Sequence, residues 1–226
     1  RLINAYYKFS IDYFNQFKEI SSALVIVGDG QEKDNIIDLI YKLNLNFFDL
    51  SNNNYPKKSP KTIKNNFGSV YFYGFKQIEE NPTFFACSKA FILPSIYEEW
   101  GLVVNEAMSC SIPIIASEVA GCSKDLMPKK NSAFKKNKKN LEKYLKKEYL
   151  ENISQRDLPQ LRENGLCFNP YSEESLKIAL LFMEEASKDK NKSQYLKMCD
   201  SSLKIIKKFS CKNFAKQAYK ALLSAM

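Results

Sequence analysis

The sequence predicts an α/β fold: a doubly wound, Rossmann-like parallel sheet covered by helices on both faces, with extra helices at the C-terminal end. Three observations carry this. Short runs made almost wholly of apolar residues have strand length and no polar face, namely Ala23-Leu24-Val25-Ile26-Val27, Ala90-Phe91-Ile92-Leu93 and Pro113-Ile114-Ile115-Ala116. Strands buried on both faces read this way. Between the runs lie stretches whose apolar residues recur at helical spacing. The two kinds of stretch alternate, as βα units of a parallel sheet do.

The elements follow in order. Leu2, Tyr6, Phe9, Tyr13 and Phe17 mark an amphipathic helix over 2–18. The run at 23–27 is the next strand, and Gly28-Asp29-Gly30 closes it with a tight turn. Ile36, Ile37, Ile40 and Leu43 mark a helix over 31–43. Residues 51–66, rich in Asn, Lys and Pro, read as an exposed excursion. Residues 70–73 form a strand ended by Gly74. Asn81-Pro82 starts a helix carrying Phe84, Phe85 and Ala86, with Asn as the cap and Pro at the first helical position. The strand at 90–93 leads into a helix over 101–110, a strand at 113–116 and a helix opening over 119–127. Residues 128–163 break the rhythm as a Lys-rich insertion. Leu166-Cys167-Phe168 is a last short strand. Ser172 then caps a helix whose first turn carries Glu173 and Glu174, a placement that suits the helix dipole. Helices over about 192–208 and 211–225 finish the chain.

The 226 residues suit a single α/β domain spanning 1–226. With 45% hydrophobic and 26% charged residues, the chain is globular rather than disordered. No apolar run approaches the roughly 20 residues of a membrane span. The chain starts at Arg1 inside a predicted helix, so a cut N-terminus is expected. Lys and Arg number 34 against 25 Asp and Glu, a net charge of +9 that favours phosphates, nucleic acid or an anionic membrane surface. Much of this charge lies between Lys129 and Lys147. Two readings of that segment stay open: a solvated, poorly ordered insertion, or a contact with anionic lipid head groups. Aromatic residues do not interleave with the basic ones at stacking spacing, so no nucleic-acid partner is expected.

The six cysteines form no CxxC pair and there is no histidine. That excludes a zinc site of the usual Cys/His kind. Cysteines among apolar residues read as free thiols in a reducing compartment, hence cytoplasm. Without histidine, any acid–base chemistry falls to carboxylates or to groups outside the chain.

The most informative segment is Pro94-Ser95-Ile96-Tyr97-Glu98-Glu99-Trp100-Gly101, running on to Glu106. It joins a buried strand to a helix, which places Glu98 at the carboxyl edge of the sheet and Glu106 on the second helical turn. Ligands of open α/β sheets bind at that edge. The first amides of a helix are unpaired and carry partial positive charge, which suits a diphosphate or a polar sugar. Gly101 presents no side chain to an approaching ligand. Carboxylates repel phosphate, so the two glutamates would face neutral hydroxyls such as a ribose or sugar diol. The alternative is that Glu98 and Glu99 only complement the helix dipole.

Glu98, seven intervening residues and Glu106 resemble the E-x7-E motif of retaining glycosyltransferases of the GT-B fold, family 4. The surroundings resemble that family in order and register: Phe91-Ile92-Leu93-Pro94-Ser95, Trp100-Gly101-Leu102-Val103-Val104-Asn105-Glu106-Ala107-Met108, and Ile112-Pro113-Ile114-Ile115-Ala116-Ser117. Val25-Ile26-Val27-Gly28-Asp29-Gly30, Val70-Tyr71-Phe72-Tyr73-Gly74-Phe75 and Asn164-Gly165-Leu166-Cys167-Phe168 extend the likeness.

The resemblance implies the C-terminal, donor-binding half of a GT-B fold. Glu106 would hold the ribose hydroxyls of a nucleotide-sugar, and Glu98 would contact the transferred sugar near its reacting carbon. The amides of Trp100, Gly101, Leu102 and Val103 would meet sugar and diphosphate. Phe75 and Lys76 would line the base pocket, and Gly28 would let the chain turn beneath the nucleotide. Transfer would retain anomeric configuration and need no metal or other cofactor, in polysaccharide, lipopolysaccharide or glycolipid synthesis. The alternative is a non-catalytic nucleotide-sugar-binding module. The sequence departs from the family in Glu99, where Pro is frequent, in Ser111-Ile112, where a glycine turn is frequent, and in the long 128–163 segment. On the resemblance, the acceptor-binding half and the first strand of the donor half would lie outside this sequence, so a fragment of a longer protein is expected. The final helix, with Phe214, Ala218, Leu222 and Leu223, would pack on that absent half or in this domain's own core.

Overall fold

An aromatic ridge organises the first half of the core. In the computed structural model, which describes residues 1–51, 67–129, 134–188 and 192–224, helix α1 (Leu2–Phe17) buries Tyr6, Phe9 and Tyr13 along one face. Their rings run in contact down that face, the Tyr6–Phe9 and Phe9–Tyr13 centroids each 5.9 Å apart. Lys18 ends the helix in the left-handed conformation at φ 58°. The chain returns through β1 (Leu24–Ile26), α2 (Lys33–Lys42), β2 (Asn46–Asp49), β3 (Ser69–Phe72) and α3 (Asn81–Ala86). The second half runs through β4 (Phe91–Leu93), α4 (Leu102–Ser109), β5 (Ile114–Ser117), α5 (Cys122–Asp125), α6 (Phe134–Leu141), β6 (Gln160–Leu161) and β7 (Gly165–Phe168). Helices α7 (Glu173–Ala186), α8 (Lys192–Ile206) and α9 (Cys211–Ser224) finish it.

The fold is α/β and Rossmann-like, with one difference from the expected single sheet. Its strands form two sheets, ordered β1-β3-β2 and β4-β5-β7-β6, parallel except for β6. Within the sheets β1 pairs only with β3 and β4 only with β5. Residues 23–28 and 90–92 both line a cavity of about 710 Å³, closed from one side by Tyr6, Phe9, Leu180 and Met183. This corrects the reading of residues 23–27 as buried on both faces. Val25 and Val27 are 43% and 38% exposed and line the cavity while Leu24 is buried, so one face of the strand is uncovered. The two sheets share a base. Glu184 of α7 accepts from Ser22, just before β1, and from Lys89, just before β4, at 3.1 and 2.8 Å.

Several elements differ from expectation. Strand β2 was not anticipated, since Phe47 and Phe48 alone carry its apolar signal. The helix expected over 119–127 shortens to α5. The excursion at 51–66 falls almost wholly outside the described residues. The Lys-rich insertion is not a solvated appendage. Leu141, Leu145, Leu150 and Leu158 enter the same core as α1 and α7. Buried Asn137 donates to the Pro159 carbonyl and accepts from the Leu161 amide, tying α6 to β6. The lysines face outward on this packed support, with Lys135, Lys136, Lys139, Lys143, Lys146 and Lys147 exposed. Spacing within the segment is amphipathic, and the lysine count masked it. Ser172 caps α7 as read, accepting from the Ser175 amide at 3.0 Å. Helix α9 buries none of its residues, so it is not part of this domain's core.

Candidate functional site

The site lies where β4 hands over to α4. Leu93 is buried at the strand end, the chain loops through residues 94–101, and α4 begins at Leu102. Gly101 occupies the helix N-cap at φ 79°, a conformation that favours glycine. A Cβ there would stand 3.1 Å from Leu93 Cδ2 and 3.3 Å from Glu98 Cγ. Gly101 therefore makes room for the Glu98 side chain as well as for any ligand. No side chain caps α4. The Val104 amide bonds back to the Gly101 carbonyl. The amides of Trp100, Gly101, Leu102 and Val103 donate to no described residue, which leaves a small nest of donors at the helix start.

The loop is held from behind. The Gly121 amide donates to the Glu98 carbonyl at 2.9 Å. A Cβ on Gly121 would overlap the Glu99 carbonyl oxygen and lie 2.8 Å from its carbon. The turn after β5 thus presses directly on the backbone of the two glutamates. Trp100 is fixed on the other side. Its indole N–H donates to Asn105 Oδ1 at 3.2 Å and its ring meets Phe209 at 6.2 Å.

Glu106, half-buried on α4, accepts from Asn81 Nδ2 at 3.2 Å. Sequence reasoning assigned Asn81 to capping. The structure instead makes it the first residue of α3, after an N-cap at Glu80 whose side chain does not cap the helix. The capping signal was present, but the contact with Glu106 turns the side chain elsewhere. Gly121 was also missed. A glycine just before a short helix has no distinctive local signal, and only the long-range contact with residues 98 and 99 reveals its role.

The predicted residues do not all meet in one place. Gly28, Phe75, Lys76 and Val103 line the 710 Å³ cavity together with Asn81 and Pro94. Gly28, at φ 138°, donates its amide to the Gly74 carbonyl, and a Cβ on it would meet nothing within 4 Å. Phe75 is 68% exposed at the mouth. The Lys76 side chain is only 5% exposed, with Nζ 4.0 Å from Glu80. Glu98, Trp100, Gly101, Leu102 and Glu106 do not line the cavity; Glu106 reaches its wall only through Asn81, and Leu102 is 69% exposed. Close to the loop, burial pushes the Cys122 thiol up to about 11, helped by Cys167 and Glu98, so it is no nucleophile at neutral pH. Among the described residues no group of three or more Cys, Asp or Glu is placed to hold a metal ion, and no helix is long and apolar enough to cross a membrane.

The chain resembles known proteins in sequence and in fold. Residues 51–160 match the family described as glycosyl transferases group 1. A Methanocaldococcus jannaschii protein named as an uncharacterized glycosyltransferase is 31% identical over 138 residues, covering 60% of this chain and 39% of the relative. The O-antigen chain mannosyltransferase B of Escherichia coli is 38% identical over 52 residues, covering 23% of this chain and 14% of the relative. The chain thus spans well under half the length of these relatives. Among solved structures, Anabaena Alr3699/HepE in complex with UDP aligns with a TM-score of 0.54 at 18% identity, over 96% of this chain and 44% of that one. The pneumococcal O-GlcNAc transferase GtfA in complex with UDP and GlcNAc aligns at 0.56 and 14% identity, over 98% and 33%. At such identities the likeness establishes the fold. The segment matched to the family model is just under half of the chain.

Proposed function

We propose that the chain binds a nucleotide-sugar donor at the carboxyl edge of β4 and, joined to an acceptor-binding half, transfers the sugar with retention of configuration. The observation that carries this is the 94–101 loop. It sets the uncapped start of α4 beside Glu98, while Glu106, further along the helix, bonds to Asn81 at the wall of the cavity. Free amides at a helix start suit a diphosphate, and the carboxylates suit hydroxyls. In this reading Glu106 accepts the ribose hydroxyls, Phe75 and Lys76 line the base pocket, and Gly28 gives the nucleotide room. The amides of Trp100, Gly101, Leu102 and Val103 meet the diphosphate and sugar, and Glu98 faces the reacting carbon. The bond from the anomeric carbon to the leaving phosphate oxygen breaks while the acceptor oxygen bonds on the same face. The acceptor proton passes to the departing phosphate, so neither histidine nor metal is needed. Solved neighbours that hold UDP favour a nucleoside diphosphate as the group recognised. In the same reading, the exposed lysines around α6 meet an anionic membrane surface.

Calorimetry with UDP tests the central assignment. Glu106→Gln keeps the shape and removes the charge, so binding weakens by about 1.5–3 kcal/mol, the range for hydrogen bonds to charged groups. Unchanged affinity would remove Glu106 from the ribose site.

A further inference from the structure

We propose that Asn81 is a positioning residue of the donor site, whose side-chain amide holds the Glu106 carboxylate in the orientation that receives a ribose diol. This rests on the ribose reading of Glu106 and adds a second residue to it. Asn81 and Glu106 lie 25 positions apart, on α3 and α4, and their side chains meet at 3.2 Å. Among the described residues, Asn81 is the only side chain that donates to that carboxylate. The bond also fixes which way the amide points, because a carboxylate only accepts and the NH₂ group must face it.

The local sequence shows that this contact outcompetes a helix cap. Asn beside Pro at a helix start normally turns its oxygen onto the helix's own amides. Here α3 begins without any side-chain cap, and the asparagine reaches across to α4 instead. The same residue lines the cavity next to Gly28, Phe75 and Lys76, which places the Asn81–Glu106 pair at its wall.

A neutral donor is the chemistry this task requires. A carboxylate offers about four acceptor positions on its two oxygens, so one bond from Asn81 leaves room for two hydroxyls. A lysine in the same place would add a positive charge and compete with the diol for Glu106. An amide restrains the carboxylate without neutralising it. Losing the restraint lets a long side chain explore other rotamers, and the ligand must then order it again.

The test measures affinity for UDP and for 2′,3′-dideoxy-UDP, which lacks the diol, in the wild-type chain, Asn81→Ala and Glu106→Gln. The wild type prefers UDP, and Asn81→Ala reduces that preference by about three- to tenfold with little effect on the dideoxy compound. If the wild type and Glu106→Gln differ in preference but Asn81→Ala matches the wild type, the positioning role is overturned and the Glu106 reading stands. If the wild type does not distinguish the two compounds, the ribose reading fails and this inference fails with it. Asn81→Asp supplies a second readout that mere destabilisation would not produce. Protonated, the new carboxyl donates to Glu106 as the amide does; ionised, it repels Glu106. The ratio of variant to wild-type UDP affinity therefore falls as pH rises from about 4 to 7, and taking the ratio cancels the titration of UDP itself. A flat ratio overturns the proposal.

Discussion

Replacing Gly121 by Ala separates contact from conformation. Gly121 sits at φ −53° and ψ −44°, an ordinary helical geometry that alanine adopts freely. On backbone entropy alone the change would stabilise by about 0.4–1 kcal/mol. The added Cβ, however, would overlap the Glu99 carbonyl oxygen and lie 2.8 Å from its carbon, atoms of a backbone and not the end of a pliable side chain. Accommodating it pushes residues 98–99 away and breaks the 2.9 Å bond from Gly121 to the Glu98 carbonyl. Overpacking costs about 1–3 kcal/mol and a lost hydrogen bond about 1, so after the entropic gain the net loss is roughly 1–3.5 kcal/mol. For a chain of this size that lowers Tm by roughly 2–14 °C. Urea denaturation measures the stability, and UDP calorimetry under native conditions reads the loop. Gly30→Ala is the control, since no atom lies within 4 Å of its added Cβ and its φ is not in the left-handed region. A Gly121→Ala protein as stable as the wild type would refute the clamp. One that is destabilised yet binds UDP equally well would refute the claim that the clamp shapes the donor site.

Three further outcomes are expected. Asn137→Ala strands the Pro159 carbonyl and the Leu161 amide in a buried position and costs about 2–4 kcal/mol in urea denaturation; a cost below about 0.5 would mean the 128–163 segment is not packed as described. In the alkaline range, the folded chain holds the Cys122 proton up to about 11 against an ordinary 9.0, because burial disfavours the thiolate. Its contribution is therefore intact below pH 9 and is lost as pH climbs toward 11, so the wild type loses stability across that window more steeply than Cys122→Ala. Equal slopes would place the thiol in solvent. Truncation after Ser210 removes α9, which buries nothing, and leaves the unfolding free energy within about 1 kcal/mol of the full chain. A larger fall would show α9 to be part of this core.

Where burial is periodic, the sequence was readable. Tyr6, Phe9 and Tyr13 announce α1, Ile114 to Ala116 announce a central strand, and Ser172 with two glutamates announces the start of α7. Strand β2 escaped because only Phe47 and Phe48 mark it. The 128–163 segment was misread because charge was weighed above spacing. Leu141, Leu145 and Leu150 are fixed by packing against α1 and α7, which local composition does not display. At the site, Glu98, Gly101 and Glu106 stood out as a strand-to-helix loop with two carboxylates. Asn81 looked like a cap and Gly121 like any loop glycine. Both act through partners far along the chain, and no local pattern records a contact of that kind.

The two carboxylates are held by different parts of the fold. Glu98 depends on the turn after β5, through Gly121 at its backbone, and on Gly101, which leaves space for its side chain. Glu106 depends on its place in α4 and on Asn81 at the start of α3. Neither anchor touches the other carboxylate. A disturbance of the β5–α5 turn therefore reaches Glu98 and the amides of α4 first, the groups assigned to sugar and diphosphate. A disturbance of α3 reaches Glu106 first, the group assigned to ribose. Preorganised donors and acceptors lower the cost of binding only while their supports stay rigid. On the proposed roles, nucleotide recognition and the geometry at the reacting carbon would then be altered separately, by substitutions at Asn81 and at Gly121.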